Sequence, residues 1–141
     1  MNPINILEKG LSILSPFMFN HGFIWHFIEK GVGSGGEYAF GLFEKEYRKL
    51  ELHFRYSLGL VQYHFESLII HHDDYMENVI GKRWRSNYPG FSDDPLDGFI
   101  RLQKDLEMYC GVFLIGKNEE IKELFLNIIK NKKPDSYSRL E

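Results

Sequence analysis

The stretch RKLELHFRYSLGLVQYHFESL, residues 48–68, alternates apolar and polar side chains almost one for one, and this period of two constrains the fold more than any other feature. Leu50, Leu52, Phe54 and Tyr56 share one parity; Lys49, Glu51, His53 and Arg55 share the other. After Ser57-Leu58-Gly59, Val61, Tyr63 and Phe65 alternate with Gln62, His64 and Glu66. Successive strand side chains point to opposite sheet faces, so the stretch reads as a half-buried antiparallel hairpin, one face turned to helices and the other to water. Setting Glu51 opposite His64 and Lys49 opposite Glu66 joins unlike charges. The slipped alternative, His53 against His64 and Glu51 against Glu66, joins like ones at a cost in stability. The first register is therefore expected, with Tyr56 near Gly59 and a tight turn at Ser57-Leu58.

Helical signals flank this hairpin. Asn2 followed by Pro3 starts a helix well, since proline lacks only an N–H that the first turn leaves unpaired. Ile4, Leu7, Leu11 and Leu14 recur at helical spacing until Ser15-Pro16 stops them, with Gly10 as a weak point. Two strands follow, roughly 22–30 and 37–44, joined by a glycine-rich loop. Tyr38, Phe40 and Leu42 match the parity of Leu50, Leu52 and Phe54, which predicts a shared buried face across a short turn near residues 45–47. The first strand is apolar on both parities apart from His26 and Glu29, which suits cover on both sides.

Asp73 and Asp74 open a short helix closed by Gly81, with Tyr75, Met76, Val79 and Ile80 at helical spacing. Residues 82–94 are irregular up to an Asp94-Pro95 cap. Leu96, Phe99, Leu102 and Leu106 then form one helical stripe to about Tyr109; Gly111 ends it, and Val112 to Ile115 are expected to be buried. Asn118 caps a last amphipathic helix through Ile121, Leu124, Phe125 and Ile128, with Lys130, Lys132 and Lys133 at its negative end. Pro134 onward reads as a polar tail, and its last two residues, Leu140-Glu141, are compatible with a cloning scar and are set aside from the fold argument. The predicted architecture is α+β in a single domain, residues 1–141: an N-terminal helix, a four-stranded antiparallel meander and three C-terminal helices, with the helices packed on one sheet face.

Composition narrows the function classes. With 43% hydrophobic and 16% aromatic residues, 141 residues bury a core without metal or disulfide staples. A net charge of -3 and a pI near 6.1 give no overall attraction to nucleic acid. The single cysteine, Cys110, leaves no partner for an intrachain disulfide and suits a reducing compartment. No signal peptide is legible, because Glu8 and Lys9 interrupt the first apolar stretch, and no run approaches the length of a membrane span. A soluble cytoplasmic protein is expected.

Four groups could carry chemistry. Gly31, Gly33 and Gly36 satisfy a G-x-G-x-x-G spacing, but dinucleotide binding needs a helix to follow, and the strand-like EYAFGLF points to a hairpin tip instead. His71 and His72 before Asp73 and Asp74 are metal-ligand types, yet neighbouring helical residues diverge, so a capping histidine with acids at the helix dipole is the simpler reading. Glu51, His53, Arg55, Gln62, His64 and Glu66 gather on the wet sheet face. A histidine with a carboxylate can do acid–base work, but no nucleophile is placed beside them, and Cys110 lies in an apolar stretch that favours inertness. The loop segment Lys82, Arg83, Trp84 and Arg85, continuing to Tyr88, Phe91, Asp93 and Asp94, mixes aromatic and charged residues as interface anchors do.

The phrasing of RKLELHFRYSLGLVQYHFESLIIHHDDYM and NYPGFSDDPLDGFIRLQKDL resembles small bacterial proteins that accompany polymorphic toxins as immunity proteins. The resemblance spans about the central two-thirds of the chain, including the H-x-D-Y helix start at His72 to Tyr75. It implies a cytoplasmic protein that binds and blocks a toxin, while the basic Lys82 to Arg85 departs from the acidic surfaces common in such proteins. The leading expectation is a non-enzymatic protein-binding domain without cofactor or metal, contacting another protein and neither nucleic acid nor membrane. Its partner-binding residues are Glu51, His53, Arg55, Gln62, His64 and Glu66 with Arg83, Trp84, Arg85, Tyr88, Phe91 and Asp93. The alternative is a small hydrolase or other enzyme using the histidines and carboxylates of the sheet face.

Overall fold

Residues 48–54 and 58–65 form paired strands with alternating burial, and the rest of the chain builds outward from them. The computed structural model describes residues 3–33, 36–55, 58–81 and 94–132. Its elements run α1 (Pro3–Asn20), β1 (Ile24–Gly33), β2 (Gly36–Lys45), β3 (Arg48–Phe54), β4 (Leu58–Phe65), β5 (Leu68–His71), α2 (His72–Ile80), α3 (Asp97–Tyr109), α4 (Gly111–Ile115) and α5 (Asn118–Asn131). The class is α+β, with an N-terminal helix, an antiparallel sheet and C-terminal helices. The Asn2 cap, the turn at Tyr56 and Ser57, the loop from Lys82 through Asp93 and the tail from Pro134 lie outside the described residues.

Among the described residues the sheet has five strands in the order β1-β2-β3-β4-β5, not the four expected. The additional strand, β5, follows a two-residue turn at Glu66-Ser67 in which Glu66 takes a left-handed φ of 53°. The residues between that turn and the helix start, Leu68 to His71, pair antiparallel with β4. The extra C-terminal element is the one-turn helix α4, where Phe113 and Leu114 are buried but Ile115, expected to be buried with them, is exposed.

Register departs from expectation in two places. Lys49 sits opposite His64 and Glu51 opposite Gln62, two residues away from the predicted pairing. The expected turn would have spent Leu58 at its tip; instead Leu58 is fully buried opposite Phe54, beside an irregularity between His53 and Phe54. Burying a leucine stabilises by about 1.5–3 kcal/mol, more than the ~0.2–1 kcal/mol of a cross-strand charge pair, so the leucine decides. On the other side of β3, the turn Glu46-Tyr47 sets Lys45 opposite Arg48 and Phe43 opposite Leu50. The core face of β2 therefore carries Ala39, Gly41 and Phe43, and Tyr38, Phe40 and Leu42 lie on the opposite face from Leu50 and Leu52. Turn length fixes register, and one residue of difference exchanges the faces.

Two further expectations are corrected. α1 does not stop at Ser15-Pro16: the exposed Pro16 sits inside it and the helix continues to Asn20, burying Met18 completely. Gly22, two residues beyond its end, has a φ of 87° that allows a left-handed closure, with Phe23 N–H donating to Met18 O (3.0 Å) and Gly22 N–H to Phe19 O (2.9 Å). β1, for its part, is an exposed edge strand rather than one covered on both faces.

The core lies between the sheet and the helices. Leu7, Leu14 and Met18 of α1 meet Phe43, Leu50, Leu52 and Phe54 of the sheet, with Phe99, Leu102 and Leu106 of α3 and Phe125 and Ile128 of α5 completing it. Phe99 stacks on Phe54 at 5.9 Å, and Phe113 meets Tyr63 edge-on at 4.8 Å. Arg48, on the core face, is buried with its guanidinium donating to Phe113 O (3.0 Å) and to Gly116 O. Lys45 reaches Leu114 O while lying 4.8 Å over the Phe23 ring. Together the two cations satisfy the carbonyls that the end of α4 leaves unpaired.

Candidate functional site

The face of the sheet opposite the core carries a chain of polar and aromatic contacts on regular strand positions. Glu51 in the middle of β3 is its centre. The His64 Nε2–H on β4 donates to Glu51 Oε1 at 2.8 Å, and the His53 Nε2–H donates to Oε2. His64 reaches Glu51 along the diagonal, from a position opposite Lys49, so the predicted contact exists although the predicted pairing does not. The His53 ring lies flat on Phe40 of β2, with centroids 4.5 Å apart and planes inclined by 5°. That stack depends on the face exchange of β2: with the expected parity, Phe40 would point into the core.

The electrostatics follow from this geometry. Partial burial alone pushes the Glu51 carboxyl up, but hydrogen bonds from His53 and His64, aided by their charge, outweigh it and hold the group below its ordinary range. A second carboxylate repeats the theme toward the sheet edge. Glu44 of β2 lies 3.3 Å from His26 Nε2 on β1 and 3.9 Å from Lys49 Nζ on β3. Glu51 thus sits between basic groups from its own strand and from β4, and Glu44 between basic groups from the strands on either side of it. The arrangement fixes side chains in place, and it commits both Glu51 oxygens to imidazoles.

The other predicted residues are distributed differently. Gln62 lies opposite Glu51 on the same face. Arg55 turns toward the hairpin end, its guanidinium 5.7 Å from the Tyr38 ring. Glu66 occupies the exposed turn before β5, its N–H bonded to Tyr47 O, and does not join the cluster. Arg83, Trp84, Arg85, Tyr88, Phe91 and Asp93 lie outside the described residues.

A second constellation, not foreseen from the sequence, lies on the core side. His72, 2% exposed at the start of α2, is held by Asp105 Oδ2 on α3 at 2.9 Å from Nε2, and by the Tyr63 hydroxyl at 2.7 Å from Nδ1. The Tyr63 oxygen is in turn 3.5 Å from Cys110 Sγ. Asp105, His72, Tyr63 and Cys110 make a linear series, but the imidazole touches the phenol rather than the thiol. Burial pushes the thiol up to about 12, so it stays protonated at neutral pH and is no nucleophile. The series satisfies buried polar groups and ties α2 and α3 to β4. A tyrosine on the buried parity of β4 is its one sequence signal, since a buried phenol needs a partner. His71 occupies the cap position of α2 without a side-chain capping bond, contrary to the expected capping role, while Asp73 and Asp74 do fall in the first turn.

The glycine motif joins two antiparallel strands, with Gly33 paired to Gly36, so no helix N-terminus meets it and the dinucleotide reading has no structural basis. Among the described residues no group of three or more His, Cys, Asp or Glu side chains is disposed to hold a metal ion. Among them, too, no helix is long and apolar enough to cross a membrane. Compared with protein-family models, curated proteins and solved structures, the chain matches none.

Proposed function

We propose that the chain is a protein-binding domain whose contact surface is the outer face of the sheet, centred on Phe40, Glu51, His53 and His64. The observation that carries this reading is the carboxylate of Glu51 held between two imidazoles, one of them stacked on Phe40. Side chains already fixed in one arrangement lose little freedom when a partner covers them, and this is what converts contact area into affinity. Half-exposed Ile69, opposite His64, supplies apolar surface at the margin. Acid–base catalysis is the weaker reading, because both oxygens of the carboxylate are occupied by imidazoles. The resemblance to immunity proteins suggests a toxin as the partner.

Co-expression with the product of the neighbouring reading frame in the source genome tests the proposal. A stable complex and relief of growth inhibition are expected. In that complex Phe40→Ala combined with His53→Ala is expected to weaken binding by about 2 kcal/mol or more, as central aromatic anchors do. Undiminished binding by a variant that retains its fold would remove the sheet face from consideration.

A further inference from the structure

β1 forms one margin of the sheet, and its outward backbone edge has no strand beside it among the described residues. It is long for an edge, ten residues, and its apolar side chains are unusually open: Ile24 is 64% exposed, Phe27 45%, Ile28 49% and Val32 77%. Such a strand is a template for another strand unless something blunts it. Two blunting features are present, the charge of Lys30 and a bulge where the pairing with β2 skips Ile28 between Phe27 and Glu29. Both acquire a different meaning when the strand is set against a copy of itself.

Partners in an antiparallel pair must lie on the same face. Pairing with β2 places Trp25 and Lys30 on the core face, opposite Phe43 and Ala39, and His26 and Glu29 on the outer face, opposite Leu42 and Phe40. Without the bulge, Trp25 and Lys30 would have opposite parity, as would His26 and Glu29. The extra residue brings each couple onto one face. When β1 meets a second β1 about a two-fold axis between Phe27 and Ile28, Trp25 faces Lys30 of the other copy and His26 faces its Glu29. The two Phe27 and two Ile28 side chains meet at the centre. Every charged residue of the strand then has a complementary neighbour, cation on aromatic ring and imidazole beside carboxylate.

We propose that the chain forms a two-fold symmetric dimer by antiparallel pairing of β1 with β1 of a second copy, in this register. The dimer sheet is continuous and has ten strands, and its outer faces stay open, so the pairing does not depend on the partner-binding reading above. A two-fold interface of this kind is self-complementary, the commonest route to a homodimer.

Sedimentation of the full chain over the micromolar range is expected to show a reversible monomer–dimer equilibrium. A monomer throughout overturns the proposal, including the case in which β1 instead accepts a strand from an unrelated protein. Ile28→Lys places like charges at the axis and is expected to weaken dimerisation roughly tenfold or more. Circular dichroism should be unchanged, because Ile28 is outside the core; a dimer indifferent to this substitution overturns the interface. Register is read by oxidising His26→Cys/Glu29→Cys, in which each new thiol faces its counterpart in the other copy. A covalent dimer is expected from it, and none from Trp25→Cys/Glu29→Cys, whose thiols lie on opposite faces. Equal cross-linking of both variants refutes the register. Buried Cys110 does not compete in either.

Discussion

Gly10 invites replacement by alanine on helix propensity alone, and the structure reverses the sign of the outcome. In a helix interior the exchange stabilises by about 1 kcal/mol. Here a methyl at Gly10 would lie 2.5 Å from three carbons of the Phe99 ring, where α1 crosses α3. Phe99 is fully buried and stacked on Phe54, so its ring has no space into which to retreat. Overpacking of this kind costs about 1–3 kcal/mol, and three simultaneous contacts with an immobile ring belong at the upper end. Gly10→Ala should therefore destabilise by about 2 kcal/mol net. Urea unfolding measures this as a lower midpoint with an unchanged slope. In a Phe99→Leu background the same substitution should become neutral or stabilising, giving a coupling of about 2 kcal/mol between the two sites. A raised midpoint for Gly10→Ala in the otherwise unaltered chain would refute the reasoning, because it would show that the crossing has room for a side chain.

Three other outcomes are expected. Arg48→Met removes donors from two carbonyls at the end of α4 and should cost about 3 kcal/mol, the loss of charge-assisted bonds plus the burial of unpaired acceptors; stability within ~0.5 kcal/mol of the parent would show those bonds to be dispensable. Glu51 has its carboxyl held below the ordinary value of 4.5, so it contributes stability that is complete above that value and is lost as pH falls through its lower folded-state value. The stability difference between the parent and Glu51→Gln should accordingly shrink on acidification through this range, and a difference independent of pH there would contradict the two-imidazole arrangement. Cys110, buried with its thiol raised to about 12, should resist alkylation at neutral pH until denaturant unfolds the chain, whereas rapid labelling of the native protein would show the Tyr63 to Cys110 region to be open.

The parity of Leu50, Leu52 and Phe54 against Glu51 and His53 was readable from the sequence because burial on one face imposes a period of two, and the same holds for the stripe of Phe99, Leu102 and Leu106 on α3. Turns were harder to read. Glu46 and Glu66 each take a left-handed φ that the sequence signals with neither glycine nor asparagine, so neither the face exchange of β2 nor the presence of β5 is legible in it. Leu58 looked like a turn residue until its burial showed otherwise. In the candidate site, the grouping of Glu51, His53 and His64 was legible from alternation, but the stack on Phe40 was hidden behind the wrong parity. Pro16 misled for a related reason: tertiary burial of Met18 overrides a local stop signal.

Lys45 and Arg48 flank the turn between β2 and β3, yet the carbonyl groups they satisfy come 65 to 69 residues later. A nascent or truncated chain lacking everything from Gly111 onward would keep both cations while possessing none of those acceptors. Closure of the β2–β3 turn is thereby tied to arrival of the C-terminal quarter, which places this contact late in assembly and raises the entropic cost of reaching it.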